Sequence, residues 1–182
     1  MSQDVWKEFE ENQITHSAAH YLMAIKQLLE DHGYARVTDI AKALNITRGS
    51  CSISLKPLKK RGLVLEDENR FLKLSEEGQR LAELVELNDK LLELLFGEVL
   101  GVEQDQAEID ACKIEHLLSI EVSTRLSAFV KVWQSGAPEV EAFKALLKKS
   151  RHNCTGDSSQ CDVCKQVCIQ PPDSVSDKRL KI

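Results

Sequence analysis

Apolar residues recur at spacings of three and four along most of the chain, which is the pattern of helices that bury one face. In the first such segment Ala19, Leu22 and Ile25 share a face, and Gly33 follows as a typical helix-ending residue. The predicted helices cover residues 14–31, 75–96, 104–117, 118–133 and 138–150. The pattern therefore predicts a mostly α-helical fold.

Between the first two of these helices the pattern changes to shorter segments. A short helix over residues 39–44, which Thr38 can cap, is followed after a tight turn by a second helix over residues 48–62. The alternating segments 63–65 and 71–74 flank a polar turn, which is typical of a β-hairpin. Two helices joined by a turn and followed by a hairpin predict a winged helix-turn-helix.

Composition supports this architecture and excludes several others. The chain has 182 residues, of which 42% are hydrophobic and only 5% aromatic, so many-stranded β folds are disfavoured. It has no apolar run of 18 residues, and its acidic, polar start does not resemble a signal peptide. We therefore expect a cytoplasmic protein without a membrane partner. The predicted domains are a winged helix over 1–74, a helical metal-binding and dimerisation domain over 75–150, and a Cys-rich tail over 151–182.

Charge is unevenly distributed, although the net charge is only −5. Residues 40–65 contain six Lys or Arg residues and no acid, a local charge of +6. Residues 81–121 contain eleven Asp or Glu residues against two Lys residues, a local charge of −9. The first segment is suited to phosphate groups and the second to cations.

The basic segment coincides with the second helix of the predicted helix-turn-helix, the element that lies in the DNA major groove in such folds. Lysines near its end can neutralise phosphates, and short or forked donors near its start can reach base edges. The candidate DNA-binding residues are Thr47, Arg48, Ser50, Ser52, Lys56, Lys59 and Lys60. The alternative interpretation is a solvated basic helix face, and Pro57 is expected to bend this helix. The predicted partner is double-stranded DNA.

The acidic segment contains a more specific pattern. Glu108, Cys112, Glu115 and His116 are spaced so that all four project from one face of one predicted helix. Thiolate, imidazole and carboxylate together suit a borderline first-row divalent ion, whereas Mg²⁺ and Ca²⁺ prefer oxygen ligands alone. Each residue alone could also be a buried or solvated side chain. Taken together they predict a metal site.

Three segments of the sequence resemble those of a known protein family. They are His20-Tyr21-Leu22, residues 33–41 and residues 110–117, the last with the motif Cys-x-x-Glu-His. Over residues 14 to about 135 the chain resembles the diphtheria toxin repressor family, including its manganese transport regulator branch. The resemblance implies a homodimeric winged-helix repressor activated by Fe²⁺ or Mn²⁺, with ligands from the first helix, the linker helix and the first dimerisation helix.

Positions that match the family's ligands define an expected metal set. It comprises His20, Met23, Asp89, Glu93, Glu108, Cys112, Glu115 and His116. Cys112 resembles the iron-responsive branch, because the manganese branch tends to have a carboxylate there. Asp89 and Glu108 replace histidines of the family, which hardens the site. The resemblance favours Fe²⁺, with Mn²⁺ as the alternative.

The tail departs from the family pattern. Cys154, Cys161, Cys164 and Cys168 provide four thiols, enough for a Cys₄ zinc site or an iron–sulfur cluster. The alternative is that these thiols are free. Cys51, alone on the basic helix, is expected to be a small packed residue.

Catalytic motifs are not evident. The sequence has no nucleophile-base pair, P-loop or Gly-rich nucleotide fingerprint, so we expect no enzymatic activity and no small-molecule substrate. The expected function is a metal-dependent transcriptional regulator of metal homeostasis. Two other classes remain open: a metal-dependent or redox enzyme that uses the cysteines, and a protein-binding winged helix without DNA affinity.

Overall fold

The computed structural model describes residues 14–150, in which residues up to Gln134 form one compact unit and those from Ser135 a second. The helices are α1 His16–His32, α2 Val37–Ala43, α3 Arg48–Lys60, α4 Glu76–Leu94, α5 Gln104–Ile114, α6 Ile120–Trp133 and α7 Pro138–Ser150. The strands β1 Val64–Glu66 and β2 Leu72–Leu74 pair antiparallel. The predicted fold class, mostly helical with an N-terminal winged helix, is confirmed.

Local sequence signals explain the bounds of α1. The Thr15 hydroxyl accepts a hydrogen bond of 3.2 Å from the Ala18 main-chain N–H, which caps the helix start. Gly33 ends the helix in the left-handed conformation (φ +75°), which glycine adopts without steric cost. Leu22 and Ile25 on the inner face of α1 are fully buried.

The start of α2 differs from the prediction. The helix begins at Val37, and the N-cap position is held by Arg36, whose side chain makes no capping hydrogen bond. The Arg36 carbonyl accepts from the N–H groups of Asp39 and Ile40, each at 3.0 Å, so Thr38 already lies inside the first turn. Capping by Thr38 was therefore wrong.

Helix α3 forms a continuous element that carries the basic residues. Thr47 caps it, because its hydroxyl accepts from the Ser50 N–H at 3.1 Å. The helix continues past Pro57 to Lys60. Its inner face buries Cys51, in agreement with the expectation of a small packed residue.

The hairpin packs beside α3 and α1. Val64 lies opposite Leu74 and Glu66 opposite Leu72, and Leu72 also bridges to Ala35 in the segment before α2. At the turn Arg70 adopts a positive φ of 65°. The hairpin is thus anchored at one end and projects its turn into solvent.

Helix α4 connects the winged helix to the remaining helices. Ser75 caps it by accepting from the Gly78 N–H at 3.1 Å. A Cβ atom at Gly78 would overlap the Leu63 main-chain carbonyl, so glycine permits a close contact between α4 and the hairpin. Ala82 and Val85 of α4 belong to the same hydrophobic core as α1 and α3.

The helical segments after α4 differ from the prediction in two places. The expected helix over 75–96 keeps α-helical geometry to Leu94 and continues as a π-helical turn, Leu95–Leu100. The expected helix over 104–117 is divided, because Ile114 leaves helical geometry (φ −127°, ψ −8°) and a 3₁₀ turn, Glu115–Leu117, follows. The prediction that Glu115 and His116 project from α5 itself was therefore wrong.

The last helix, α7, forms part of the second compact unit and has the predicted bounds. Among the residues that the structure describes, no helix is both long and apolar enough to cross a membrane.

Candidate metal centre and basic surface

Three metal-ligating side chains from distant parts of the sequence meet at one point. His16 and His20 lie one turn apart on α1, with their Nε2 atoms separated by 3.1 Å. The Sγ atom of Cys112 on α5 lies 3.2 Å from His20 Nε2 and 3.4 Å from His16 Nε2. Glu115 adds a carboxylate oxygen, and the four donor atoms all lie within 4.8 Å of one another.

Glu115 is the most deeply buried member of this group, with 1% of its surface exposed. Burial raises its pKa, and the nearby His16 and His20 act in the opposite direction. Its Oε2 atom is buried without a hydrogen-bond partner among the described residues. Burying an ionised carboxylate oxygen costs free energy unless it is paired, so a bound cation would stabilise this atom.

The distances between these donor atoms resemble the distances between ligand atoms around a bound metal ion. Four-coordinate ions bind histidine nitrogen and cysteine sulfur at about 2.0–2.3 Å, which places adjacent tetrahedral donors about 3.3–3.8 Å apart. The separations of 3.1–3.4 Å among His16, His20 and Cys112 are close to that range. The residues present therefore fit a borderline divalent ion with nitrogen, sulfur and oxygen ligands.

Protonation differs among these ligands. Burial lowers the pKa of His20, and the neighbouring His16 lowers it further, which favours the neutral ring that coordinates metals. Burial raises the pKa of the Cys112 thiol, and the Glu115 and Asp89 carboxylates raise it further. Metal binding at Cys112 therefore has to displace a proton.

An acidic cleft continues from this group toward α4. The cleft has a volume of about 220 Å³ and is lined by His20, Met23, Asp89, Glu93, Glu108, Cys112 and Glu115. Burial is the main cause of the raised pKa values of Asp89 and Glu93. Repulsion from Glu108 raises both pKa values further, and the Lys90 ammonium group lowers both.

The structure thus brings seven of the eight expected metal residues to one cleft. The exception is His116, which lies behind Glu115 with its Nδ1 atom 3.5 Å from the Glu115 Oε1 atom. Its ring packs edge-on against the His16 ring at a centroid distance of 5.4 Å. His116 lies in the 3₁₀ turn after α5 and is not among the residues that line the cleft, although it contacts two of the donor residues.

His16 was missed in the sequence analysis. Its four-residue spacing from His20 was the available signal, since residues at that spacing are neighbours on a helix surface. The tail residues Cys154, Cys161, Cys164 and Cys168 lie outside the described residues.

The basic residues form a second feature, on α3 of the winged helix. Arg48, Ser50, Ser52, Lys56 and Lys60 are exposed on α3, and Thr47 serves as its cap. The ammonium group of Lys59 instead forms an ion pair of 2.6 Å with Glu66 on β1. Its charge is therefore partly neutralised within the protein.

A groove of about 490 Å³ separates α3 from the hairpin. Besides Arg48 and Lys56, it is lined by two arginines that the sequence analysis did not select, Arg36 and Arg70. The Arg36 guanidinium lies 4.4 Å from the centre of the Phe71 ring, a cation–π contact that holds its position. The groove presents positive charge from α3, the hairpin and the start of α2.

Comparison with known proteins identifies the family. The N-terminal DNA binding domain of iron dependent repressors matches residues 13–70, and their metal binding and dimerisation domain matches residues 75–136. This chain belongs to the iron-dependent repressor family. The family resemblance inferred from the sequence is therefore confirmed. Because the related proteins are repressors and regulators, the prediction that the chain is not an enzyme is confirmed as well.

Individual members of the iron-dependent repressor family extend the comparison. The HTH-type transcriptional regulator MntR of Bacillus subtilis is 30% identical over 139 residues, which cover 76% of this chain and 97% of MntR. The crystal structure of T. acidophilum IdeR aligns with a TM-score of 0.51 and 26% identity over 62% of this chain. The manganese regulator SloR aligns with a TM-score of 0.56 and 26% identity, also over 62% of this chain. This chain spans about half of the latter two, 52% and 53%.

Proposed function

We propose that this member of the iron-dependent repressor family is a metal-dependent transcriptional repressor that binds double-stranded operator DNA as a homodimer. One observation carries the proposal: His16 and His20 of the winged helix meet Cys112 and Glu115 of the following helices at a single point. A bound divalent ion would supply the link between these two parts. His16 and His20 on α1 and Cys112 on α5 would hold the ion, and so restrict the position of α1 relative to α5.

The basic face of α3 supports DNA as the partner. Short donors stand near the start of the helix and lysines near its end, an order suited to base edges and phosphates respectively. Arg36 and Arg70 extend the positive surface beyond α3. Because DNA is the proposed target, we infer a cytoplasmic location.

An apolar groove supports the homodimer. Leu92 and Phe96, at the end of α4 and beyond it, line this groove together with Val122 and Phe129 of α6. Both α6 residues are more than 40% exposed in the single chain. Apolar side chains grouped in this way are suited to burial against a second subunit.

We propose Fe²⁺ as the activating ion, with Mn²⁺ as the alternative. Two imidazoles and a thiolate in mutual contact favour a softer ion than Mn²⁺, and Zn²⁺ is the main competitor for such a set. The carboxylates of Asp89, Glu93 and Glu108 favour a harder ion. Because the nitrogen and sulfur donors lie closest to one another, we expect them to determine the metal preference of the site.

The four tail cysteines are proposed as a separate zinc or iron–sulfur site. Metal and sulfide analysis of anaerobically purified protein tests this part independently, since either centre would add metal beyond that held by the cleft.

The main proposal is tested by anisotropy titrations of duplex DNA, selected from a random pool, with anaerobic Fe²⁺, Mn²⁺ or chelator. We expect tight binding with metal and a loss of at least tenfold with chelator. His16→Ala should abolish the difference. His32→Ala is the matched control, because His32 lies on the same helix and is exposed. Equal binding by the chelated and metal-loaded protein would overturn the proposal.

A further inference from the structure

The outward face of α3 contains an apolar residue that neither the fold nor the metal centre uses. Ile53 is 66% exposed. At 100° per residue it lies opposite the side of the helix that buries Cys51, Leu55 and Leu58. It therefore occupies the centre of the surface that α3 presents to a partner.

The neighbours of Ile53 on this face are a glycine, two lysines and the exposed Pro57. Gly49 lies one turn before it, and Lys56 and Lys60 lie one and two turns after it. An apolar protein partner would require a larger contiguous apolar patch than Ile53 and Pro57 provide, and two lysines lie on the same face. The surroundings match a polyanion, with one apolar contact at the centre.

Gly49 supports a close approach of the partner at this point. A Cβ atom at Gly49 would meet only the Thr47 hydroxyl oxygen, at 3.9 Å, so the fold has room for a side chain. Glycine inside a helix is destabilising relative to alanine. Its presence here, without a need inside the protein, leaves the helix surface open beside Ile53.

We propose that Ile53 reads a thymine in the major groove of the operator by packing against the C5-methyl group. The side chain has no polar atom, so it cannot hydrogen-bond to a base edge or pair with a phosphate. The thymine methyl is the apolar group that the major groove offers, and it is absent from the other three bases. The inference rests on the proposed DNA binding and adds a residue that determines sequence preference.

The test begins with duplexes selected from a random pool by the metal-loaded full chain, in separate experiments with Fe²⁺ and Mn²⁺. We expect a thymine at one position of each half-site, and the loss of that preference when Ile53→Ala is used for selection. Replacing this thymine by deoxyuridine, which removes only the methyl group, should weaken wild-type binding about fourfold per half-site, the effect of burying one methyl group.

Three variants sharpen the outcome. Ile53→Ala should bind the thymine and deoxyuridine duplexes equally, and Leu146→Ala, which removes a similarly exposed apolar side chain from α7, should retain the wild-type difference. Gly49→Ala should raise the Tm by about 2–4 °C and weaken DNA binding, two changes of opposite sign that a role in the fold would not produce.

The results distinguish a failure of the Ile53 assignment from a failure of the proposed DNA binding. If wild-type protein selects DNA but deoxyuridine has no effect at any thymine, or has equal effects on the wild type and Ile53→Ala, the assignment of Ile53 is overturned. If the wild type selects no DNA with either metal, the proposed function fails and the inference fails with it. Circular dichroism of each variant verifies that the fold is retained.

Discussion

The side-chain amide of Asn88 on α4 donates a hydrogen bond of 2.8 Å to the main-chain carbonyl of Glu115. Both residues are 1% exposed. Since Glu115 follows the end of α5, this bond holds the 3₁₀ turn against α4 and places the buried carboxylate among the histidines. The position of a metal ligand thus depends on a residue that does not contact the proposed ion.

The first prediction follows from this bond. Asn88→Ala should lower the free energy of unfolding by about 1–3 kcal/mol, because it leaves the Glu115 carbonyl buried without its donor. It should also weaken metal binding, since Glu115 is no longer held in place. Urea unfolding and anaerobic metal titration measure the two effects. Asn69→Ala, in the exposed hairpin turn, is the control. Unchanged metal affinity in Asn88→Ala would contradict the positioning role.

The second prediction concerns the preference of the site for metals. Cys112→Ser replaces a soft thiolate by a weak neutral oxygen, so Fe²⁺ affinity should fall at least tenfold, about 1.4 kcal/mol, and Mn²⁺ affinity should fall less. Competition titrations with a metal-binding dye measure both. Lys113→Ala is the control, because this neighbouring side chain is exposed. An Fe²⁺ affinity within a factor of about two of the wild type would mark Cys112 as a packed thiol and favour manganese.

The third prediction concerns Lys59 and Lys60. Lys60→Ala should reduce the slope of the logarithm of the DNA association constant against the logarithm of the salt concentration by about one. The reason is that one phosphate contact is lost. Lys59→Ala should reduce it less, since the Lys59 charge is already paired with Glu66. Glu66→Gln should strengthen DNA binding by freeing Lys59. Anisotropy measurements over a range of salt concentrations test the ranking, and equal slopes for both lysine variants would contradict it.

The fourth prediction is a pH dependence of stability. Hydrogen bonds from Lys90 and Lys26 lower the pKa of the Glu86 carboxyl below its usual value of 4.5. A lowered folded-state pKa stabilises the protein above the unfolded-state pKa, and this stability is lost as the pH falls through the folded-state pKa. Lys26→Met removes the ion pairs of Lys26 with both Glu86 and Glu30, so it should cost about 0.5–1 kcal/mol at pH 7 and progressively less as the pH falls below about 4.5.

Urea unfolding of Lys26→Met and wild type between pH 7 and pH 3 measures this difference. Arg80→Met is the control, because both members of its ion pair with Glu76 are largely exposed, and we expect little change at any pH. A difference between Lys26→Met and wild type that is constant with pH would assign the effect to packing rather than to charge.

The fifth prediction concerns the contact between α4 and the hairpin. Gly78→Ala forces a methyl group against the Leu63 carbonyl, so it should destabilise the protein by about 1–3 kcal/mol despite the better helix propensity of alanine. Thermal unfolding measures the loss. Gly49→Ala, whose Cβ atom would make only an ordinary van der Waals contact of 3.9 Å with the Thr47 hydroxyl, should shift stability in the opposite direction. A stabilised Gly78→Ala would refute the steric argument.

Much of the fold could be predicted from the sequence, because apolar periodicity and capping residues act locally. Thr15, Thr47 and Ser75 cap helices that the pattern located to within about two residues. The break after Ile114 was missed because a 3₁₀ turn disturbs helical periodicity only slightly. That turn is held by Asn88, which is 27 residues away in sequence. Local patterns do not report such distant restraints.

Most of the residues of the candidate site could also be predicted from the sequence. The acidic residues and Cys112 were selected by type and by family resemblance, and the structure brings them to one cleft. His16 was missed because its significance depends on contact with Cys112, 96 residues later in the chain. His116 was included because it matched the motif, but it is not among the residues that line the cleft and instead contacts Glu115 and the His16 ring.

The sharing of Ala82 and Val85 between α4 and the winged-helix core has a consequence for protein engineering. A fragment cut after the hairpin would lose these two core residues and the contact between Gly78 and the Leu63 main chain, so it should not fold independently. For exchange of DNA-reading parts between relatives, the junction should therefore lie within α4, beyond Val85, so that each chimaera inherits a complete core.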